Sequence, residues 1–387
     1  MINVGIAGTG NISAAHVEGY LRFPDRCRIV ALCDIVDGKA QLKAEEWGLT
    51  EVAIHDTVAD LAADASVDLV SVCTPPGTHA DIATTLLDEG KHVILEKPMA
   101  PSVAECERIL EAQRRSGTLL SVVAQNRFRD DMATLKTALD SGLTGPVTHV
   151  RVDSAWWRGL PYYDLSWRGT WESEGGGPTL NHAIHHIDLL LWLLGEPASV
   201  MAMMTNAAHE NAEVEDLSVA VLQYERALAQ LTSSVVHHGE EQHIVIQGRD
   251  ASIAQPWVVR AESPQPNGFP LQGGNAELVE QVQRLVDSRE PLAHQGHTGQ
   301  IDDVLTALEQ GTEPLVTGVD GRRAVEVVTA IYQAAIEQRL VPLPLAPEDP
   351  YFAGQGLMAN APRYYRKSTS VDEQAGFITV GGSGRQS

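Results

Sequence analysis

Two stretches of this 387-residue chain carry side chains able to move a proton at an alcohol. In the first, Glu96-Lys97-Pro98 closes the apolar run His92–Leu95. That places an ammonium group at the carboxyl end of a strand, where open α/β sheets bind their ligands. Lys97 there can polarise a reacting hydroxyl or shuttle its proton, and Glu96 can orient it or contact a cofactor ribose; a surface ion pair is the plainer alternative. In the second stretch, Gly175-Gly176-Gly177-Pro178 leads into a helix with Leu180, Ile184, Ile187 and Leu191 at core spacing. Asn181, His185 and Asp188 then fall at i, i+4 and i+7 on one stripe. An imidazole near its ordinary pKa accepts a proton from an alcohol as hydride leaves.

His182 and His186 form a second i, i+4 pair, a spacing that can hold zinc. No His-Glu-x-x-His arrangement accompanies them, so no metal is expected, and His182 reads as a substrate contact or a packed polar group. Upstream lie Trp156-Trp157-Arg158 and Tyr162-Tyr163-Asp164, followed by Trp167-Arg168-Gly169-Thr170-Trp171. Aromatic faces suit C–H surfaces and polar tips suit hydroxyls, so the segment reads as a carbohydrate pocket with Tyr163, Trp167 and Arg168 at the substrate. An aromatic cluster at a domain or subunit interface is the alternative for the tryptophans.

The elements that must position these residues begin at the first strand. Ile2–Ala7 ends in Gly8-Thr9-Gly10-Asn11-Ile12-Ser13, and a helical pattern starts at once. Gly8 makes a tight turn, Gly10 lets the backbone approach a pyrophosphate, and the helix aims free N–H groups at the anion. The third glycine of the usual pattern is replaced by Ser13, still small enough for close packing. Apolar runs at Arg28–Cys33, Asp68–Cys73, His92–Leu95 and Leu119–Ala124 alternate with helical patterns, which predicts a parallel sheet covered on both faces. Asp34 ends the second run, where a carboxylate can accept both ribose hydroxyls of NAD or cap the next turn. It would repel a 2′-phosphate, and Ile35 and Val36 supply no cation, which favours NAD over NADP. Thr74-Pro75-Pro76 halts the next strand; Thr78 is positioned to cap the following helix, and His79 to pack or lie near the cofactor.

Taken together, Gly8-Thr9-Gly10-Asn11-Ile12, Asp34, Thr74-Pro75-Pro76 with His79, and Gly90-Lys91-His92-Val93 before Glu96-Lys97-Pro98 resemble the glucose–fructose oxidoreductase / inositol dehydrogenase / rhizopine catabolism (Gfo/Idh/MocA) family. The resemblance spans residues 1 to about 345. It implies a Rossmann domain followed by an open, largely antiparallel sheet domain, with bound NAD held by Gly8, Gly10, Asn11, Ile12, Asp34, Thr74, Pro75, His79, Glu96, Lys97 and Asn126. The family's Asp-x-Gly-x-His-x-x-Asp segment maps onto Asn181, Ala183, His185 and Asp188. The family Asp is therefore an amide here, which can bond a substrate hydroxyl but cannot act as a base. Acid–base work then rests on His185 and Lys97, with Asn181 orienting substrate and Asp188 structural.

Beyond residue 125, six strand-like runs extend from Val147 to Glu262, with few helices between them, and helical patterns return at Asn275–Asp287, Thr298–Glu309 and Gly321–Gln338. The expected domains are 1–125 for NAD binding, 126–345 for substrate binding and oligomerisation, and 346–387 as an irregular arm, packing on a neighbouring subunit, and a flexible tail. An open sheet needs its second face covered, which predicts a homodimer or homotetramer through that sheet.

A net charge of −23 argues against nucleic acid or an anionic membrane surface as the main partner. No apolar run approaches the roughly 20 residues of a membrane span. The first strand starts at residue 2, so no cleavable leader is expected, and Cys27, Cys33, Cys73 and Cys106, without CxxC spacing, suggest free thiols in a cytoplasmic protein. The expected activity is NAD-dependent hydride transfer at a ring hydroxyl of a sugar, inositol or derivative. Two alternatives are an NAD-dependent glycosidase working by transient ring oxidation and a non-catalytic dinucleotide or sugar sensor; retention of both Lys97 and His185 counts against the sensor.

Overall fold

The computed structural model describes residues 1–371. The expected flexible tail from Gly381, and the end of the expected arm, lie outside them. The chain divides into two compact units, each assembled from separated segments.

The first unit comprises Met1–Phe128, Leu292–Glu326 and Phe352–Gly354. Its six strands are β1 (Ile2–Ala7), β2 (Cys27–Cys33), β3 (Ala53–His55), β4 (Leu69–Val72), β5 (His92–Leu95) and β6 (Leu120–Val122). They lie in the order β3-β2-β1-β4-β5-β6, and every pairing is parallel. This is the doubly wound order, with its switch point between β1 and β4. Between the strands run helices such as Ser13–Tyr20, His79–Asp88 and Val103–Ser116. The last of these starts under a Ser102 cap that accepts from Glu105 N–H and stops at Gly117, whose φ is 69°.

The boundaries read from sequence, 1–125 and 126–345, do not follow this division, because Leu292–Glu326 returns to the first unit. Its helix Gly296–Gln310 buries Ile301, Val304 and Leu305 in one core with Val4, Ile6, Val17, Leu32 and Ile94. Each such side chain contributes roughly 1.5–3 kcal/mol over its exposed state, enough to fix where the segment packs.

The second unit comprises Arg129–Pro291, Val327–Tyr351 and the residues from Gln355 onward. Its sheet contains β7 (Val147–Ala155), β8 (Ser199–Thr205), β9 (Leu217–Gln223), β10 (Leu228–Ser234), β11 (Gln242–Gly248), β12 (Ser252–Gln255), β13 (Val258–Arg260) and β14 (Val341–Pro342). The order is β13-β12-β11-β7-β10-β9-β8-β14, and all pairs are antiparallel except β7 with β10. The run Ser252–Glu262, expected as one strand, turns back at Pro256, which has no N–H to continue a ladder.

Alternation divides this sheet into a core face and an outer face. Val150, Val152, Ala202, Ala220, Leu222, Leu231, Ile244 and Ile246 are buried. On the outer face, Met201 pairs with Val221 and Met203 with Val219. All four are exposed, Met203 by 74%.

Over the described residues from Pro362 onward, the arm makes its contacts within the second unit. Trp171 Nε1 donates to Pro362 O at 2.8 Å, and Tyr364 hydroxyl donates to Met204 O at 2.9 Å. Lys367 Nζ donates to the carbonyls of Tyr163 and Leu165, and Val371 pairs with Asp164 and Ser166.

Candidate functional site

The glycine turn of the first unit is built by close approach. Gly8 has φ +87°, and a Cβ on it would lie 3.0 Å from the backbone C and O of Cys73 and 2.8 Å from the Thr74 methyl. Only glycine satisfies both demands, so the ends of β1 and β4 meet here. A Cβ at Gly10 would meet no protein atom within 4 Å. Ser13 Oγ donates to Gly10 O at 2.5 Å, tying the turn to the first turn of its helix. Asn11 is exposed and Ile12 half-buried beside it, and Thr74, Pro75 and Asn126 follow the ends of β4 and β6. This is a cradle that fits a dinucleotide pyrophosphate: open backbone at Gly10 and a helix N-terminus behind it.

Asp34 is only 8% exposed and already engaged. Its Oδ2 accepts from Thr9 N–H at 2.8 Å and Thr9 Oγ1 at 2.7 Å, and Oδ1 accepts from Val36 N–H at 3.0 Å. Lys39 Nζ stands 2.9 Å from Oδ2, a cation that inspection of Ile35 and Val36 missed. Burial pushes the carboxyl up, but Lys39 and the Thr9 and Val36 donors overcome it and hold the pKa at about 2. Asp34 therefore caps its turn and locks Thr9, alongside any contact to a ribose.

His79 is fully buried, with Nδ1 2.9 Å from Pro98 O and Nε2 2.8 Å from Thr74 O. It ties the β4 loop to the turn carrying Lys97 rather than presenting a ring nitrogen to a cofactor. Thr78 does not cap the helix with its hydroxyl, which donates instead to Thr74 Oγ1 and Pro75 O, both at 2.8 Å. Lys97 is half-buried, and its backbone N–H donates to Glu96 Oε2 at 3.1 Å.

In the second unit the glycines have a different task. A Cβ on Gly177 would lie 1.9 Å from Glu215 O, so the triple-glycine turn is pressed against a buried carboxylate residue. Glu215 accepts from Gly177 N–H at 3.0 Å, Thr179 N–H at 3.1 Å and Tyr332 hydroxyl at 2.9 Å. Beside it, Glu174 accepts from Arg168 Nη1 at 2.6 Å, Gly169 N–H at 2.7 Å and Asn181 Nδ2 at 3.1 Å. Asn181 Nδ2 also donates to Gly176 O at 2.9 Å. Its amide nitrogen thus braces the turn, a role that the expected contact to a substrate hydroxyl did not include.

The helix expected to run on from Pro178 is broken. Pro178–Asn181 makes one turn, Ala183 N–H reaches back five residues to Pro178 O at 2.8 Å, and Ile184–Leu194 then continues. His185 and Asp188 lie on the longer helix, His185 half-buried and Asp188 buried. His186 is buried, and burial with Arg129 nearby lowers its pKa to about 4.

Among the aromatic residues, Arg168 lies between Tyr162, at 4.2 Å, and Trp167, at 3.9 Å. Trp167 is half exposed, and the ring of His182 packs 5.7 Å from Trp156 and 6.1 Å from Tyr162. Tyr163, expected to touch substrate, is 1% exposed and sits edge-on to Tyr162 and His209. It is the core of this segment, not its surface. Sequence inspection also missed His16, His297, Glu174 and Glu215. No local spacing flags them: His16, His297 and Glu215 meet partners distant in the chain, and the partners of Glu174 lie five to seven residues away across irregular turns.

Two family models match successive parts of this chain: "Oxidoreductase family, NAD-binding Rossmann fold" over residues 2–124 and "GFO/IDH/MocA C-terminal domain" over 132–254. Together they cover more than half of it. The chain belongs to the Gfo/Idh/MocA family. Inositol 2-dehydrogenase of Gluconacetobacter diazotrophicus is 32% identical over 230 residues, 59% of this chain and 65% of its own length. The alignments to the first such relatives cover only 54–65% of those proteins. The scyllo-inositol 2-dehydrogenase (NADP(+)) of Bacillus subtilis is 25% identical over 88% of this chain and 96% of its own. The WlbA dehydrogenase of Bordetella pertussis, solved with NADH and UDP-GlcNAcA, superposes with a TM-score of 0.75 at 29% identity over 89% of this chain and 99% of that one. In this Gfo/Idh/MocA member, no helix of the described residues is long and apolar enough to cross a membrane.

The carboxylate beneath the glycines gives a measurable signature. Burial pushes the Glu215 pKa up from an ordinary 4.5 to about 7, its hydrogen bonds pulling back without cancelling the effect. The folded state then binds the extra proton, so this group's stabilisation is complete below pH 4.5 and is lost as pH rises to about 7. Denaturant unfolding at fixed pH values should show the parent losing up to roughly 3 kcal/mol over that window relative to Glu215→Gln. Parallel curves for the two proteins would exclude a raised Glu215.

Proposed function

We propose that this chain is an oxidoreductase that uses NAD to move a hydride between the nicotinamide and a ring hydroxyl of a sugar, inositol or related polyol. The observation that carries the reading is Lys97 at the carboxyl end of β5, in a turn fixed by Glu96 and His79, within an NAD-binding Rossmann sheet. The inositol and sugar-nucleotide dehydrogenases among its relatives support the substrate class.

Bound NAD supplies the hydride acceptor. Gly8, Gly10, Asn11 and Ile12 hold its pyrophosphate side, Asp34 its adenosine ribose, and Thr74, Pro75, Asn126 and Glu96 the remainder. Lys97 and His185 exchange the hydroxyl proton. Trp167, Arg168 and His182 hold the ring, with Asn181 and Glu174 keeping Arg168 in place. Orientation of this kind contributes much of the rate in such reactions. Lys97→Ala should lower turnover by roughly three orders of magnitude while NAD affinity stays near the parent value. The assay is NADH formation over a panel of polyols, sugars and glycosides, with aglycone release followed in parallel. Equal loss of turnover and NAD binding would make Lys97 a cofactor or folding residue, and aglycone release without net NADH would mark redox-assisted elimination instead.

For the cofactor, the Asp34 carboxylate stands against a 2′-phosphate and favours NAD. Lys39 qualifies that preference, because removing Asp34 leaves its ammonium beside the ribose position. Asp34→Ser should shift the kcat/KM ratio toward NADP by roughly tenfold or more. An unchanged ratio would remove Asp34 from cofactor choice.

The outer face bearing Met201, Met203, Val219 and Val221 is the surface for a second copy of the chain, in a cytoplasmic homodimer or homotetramer. Light scattering of the parent should give two or four times the chain mass, and Met203→Glu should reduce it. A monomeric parent would sink this reading.

A further inference from the structure

Two histidines of the first unit, which the proposed reaction does not use, converge on Glu96. Glu96 is 4% exposed, and its Oε1 lies 3.1 Å from His16 Nε2 and 3.4 Å from His297 Nε2. Its Oε2 accepts from the backbone N–H of Lys97. His16 comes from the helix Ser13–Tyr20 and His297 from the helix Gly296–Gln310, so three separate elements converge on one carboxylate. Behind His16, Nδ1 lies 3.0 Å from Ser71 Oγ, which is 2.7 Å from the Tyr20 hydroxyl.

Donor counting sets the directions. A carboxylate only accepts, so both Nε2 atoms donate to Glu96. A neutral His16 then accepts at Nδ1 from Ser71, and Ser71 accepts from Tyr20. If His16 gains a proton, Nδ1–H donates to Ser71 and Ser71 donates to Tyr20. The two hydroxyls then reverse and the Tyr20 O–H gives up Ser71 as its acceptor, so the chain from Tyr20 to Glu96 pairs every donor in the neutral state. Burial pushes the Glu96 carboxyl up, and the two imidazoles more than offset this, holding it well below the ordinary range. Burial also lowers His16 against the pull of Glu96, so the neutral form fits the interior. The other titratable groups facing Glu96 are the Cys73 thiol, which burial keeps protonated, and His79, held between two carbonyls.

We propose that His16 and His297 are positioning residues for Lys97, acting through Glu96. They hold one buried carboxylate ionised and in a single orientation, and that carboxylate fixes the turn and the local field at the lysine. The inference rests on the reading of Lys97 as proton carrier. The three ligand-type atoms also lie within 4.8 Å of one another, close enough for a divalent metal, but the hydrogen-bond chain is complete without one.

The test compares His297→Leu, which removes a donor to Glu96, with His297→Gln, whose amide N–H can replace it. Three sets of measurements are made on the NAD-loaded protein. They are kcat and KM on the panel polyol giving the fastest NADH formation, the rate at which trinitrobenzenesulfonate modifies Lys97 by peptide mass spectrometry, and Tm with NAD affinity. The Leu variant should lose kcat roughly 10- to 100-fold with KM, NAD affinity and Tm near parental values, and Gln should recover most of the loss. Lys97 modification, which needs no substrate, should change roughly threefold or more in the Leu variant and less in Gln.

Parental kcat and labelling in His297→Leu would overturn the proposal. So would equal loss of kcat, NAD affinity and Tm in both variants, or a stoichiometric metal in the parent that the Leu variant lacks. A fully active Lys97→Ala protein would defeat the lysine assignment itself. An inactive Lys97→Ala beside an unaffected His297→Leu would defeat only the positioning role.

Discussion

At Gly8 the chain leaving β1 passes in van der Waals contact with the chain leaving β4, with no room for a methyl group between them. The rest of the cofactor side hangs on that contact. It turns Thr9 inward, where its N–H and hydroxyl both reach Asp34, so the end of β2 is locked to the same turn. It leaves Gly10 facing outward, and Ser13 returns to Gly10 O to start the helix. It also fixes the start of the Thr74 loop, which His79 joins to the turn after β5. One missing carbon atom therefore coordinates the ends of four strands.

The second unit solves a similar problem with buried acid. Glu215 and Glu174 draw the N–H groups of Gly169, Gly177 and Thr179 and the amide of Asn181 around themselves. Their surroundings differ in sign of effect from those of Glu96. Glu96 is held by two imidazoles and stays ionised, whereas Glu215 has only neutral donors and burial dominates. Neutral dipoles orient Glu215 without cancelling its desolvation, and at Glu174 burial outweighs even the Arg168 guanidinium.

Much of the scaffold could be read from local pattern. The parallel first sheet, the largely antiparallel second sheet, and the placement of Gly8, Gly10, Asp34 and Lys97 follow from periodicity, glycines and strand ends, which are properties of a few adjacent residues. What escaped is non-local. His16 and His297 meet at Glu96 only because Ile301 and its neighbours bury in the first core, and nothing around either histidine announces that. Lys39 reaches Asp34 across a helix start that inspection of the two nearest residues did not include. The single helix expected through Asn181 and His185 is interrupted for a subtler reason: one backbone bond reaches back five residues, and side-chain periodicity cannot register it. Tyr163 carried the chemistry of a sugar contact, yet its ring is enclosed by Tyr162 and His209.

The strap formed by Pro362, Lys367 and Val371 imposes an order of assembly. The segment from Tyr163 to Trp171 has its carbonyls, its indole N–H and a short bridge completed by residues synthesised long after it. As the chain emerges from the ribosome, the nucleotide fold's first strands can pair while the aromatic wall still lacks its closing contacts. That wall must wait for the far end of the polypeptide, so a nascent chain arrested before residue 362 would carry a formed glycine turn in its first unit and an unclosed aromatic wall in its second.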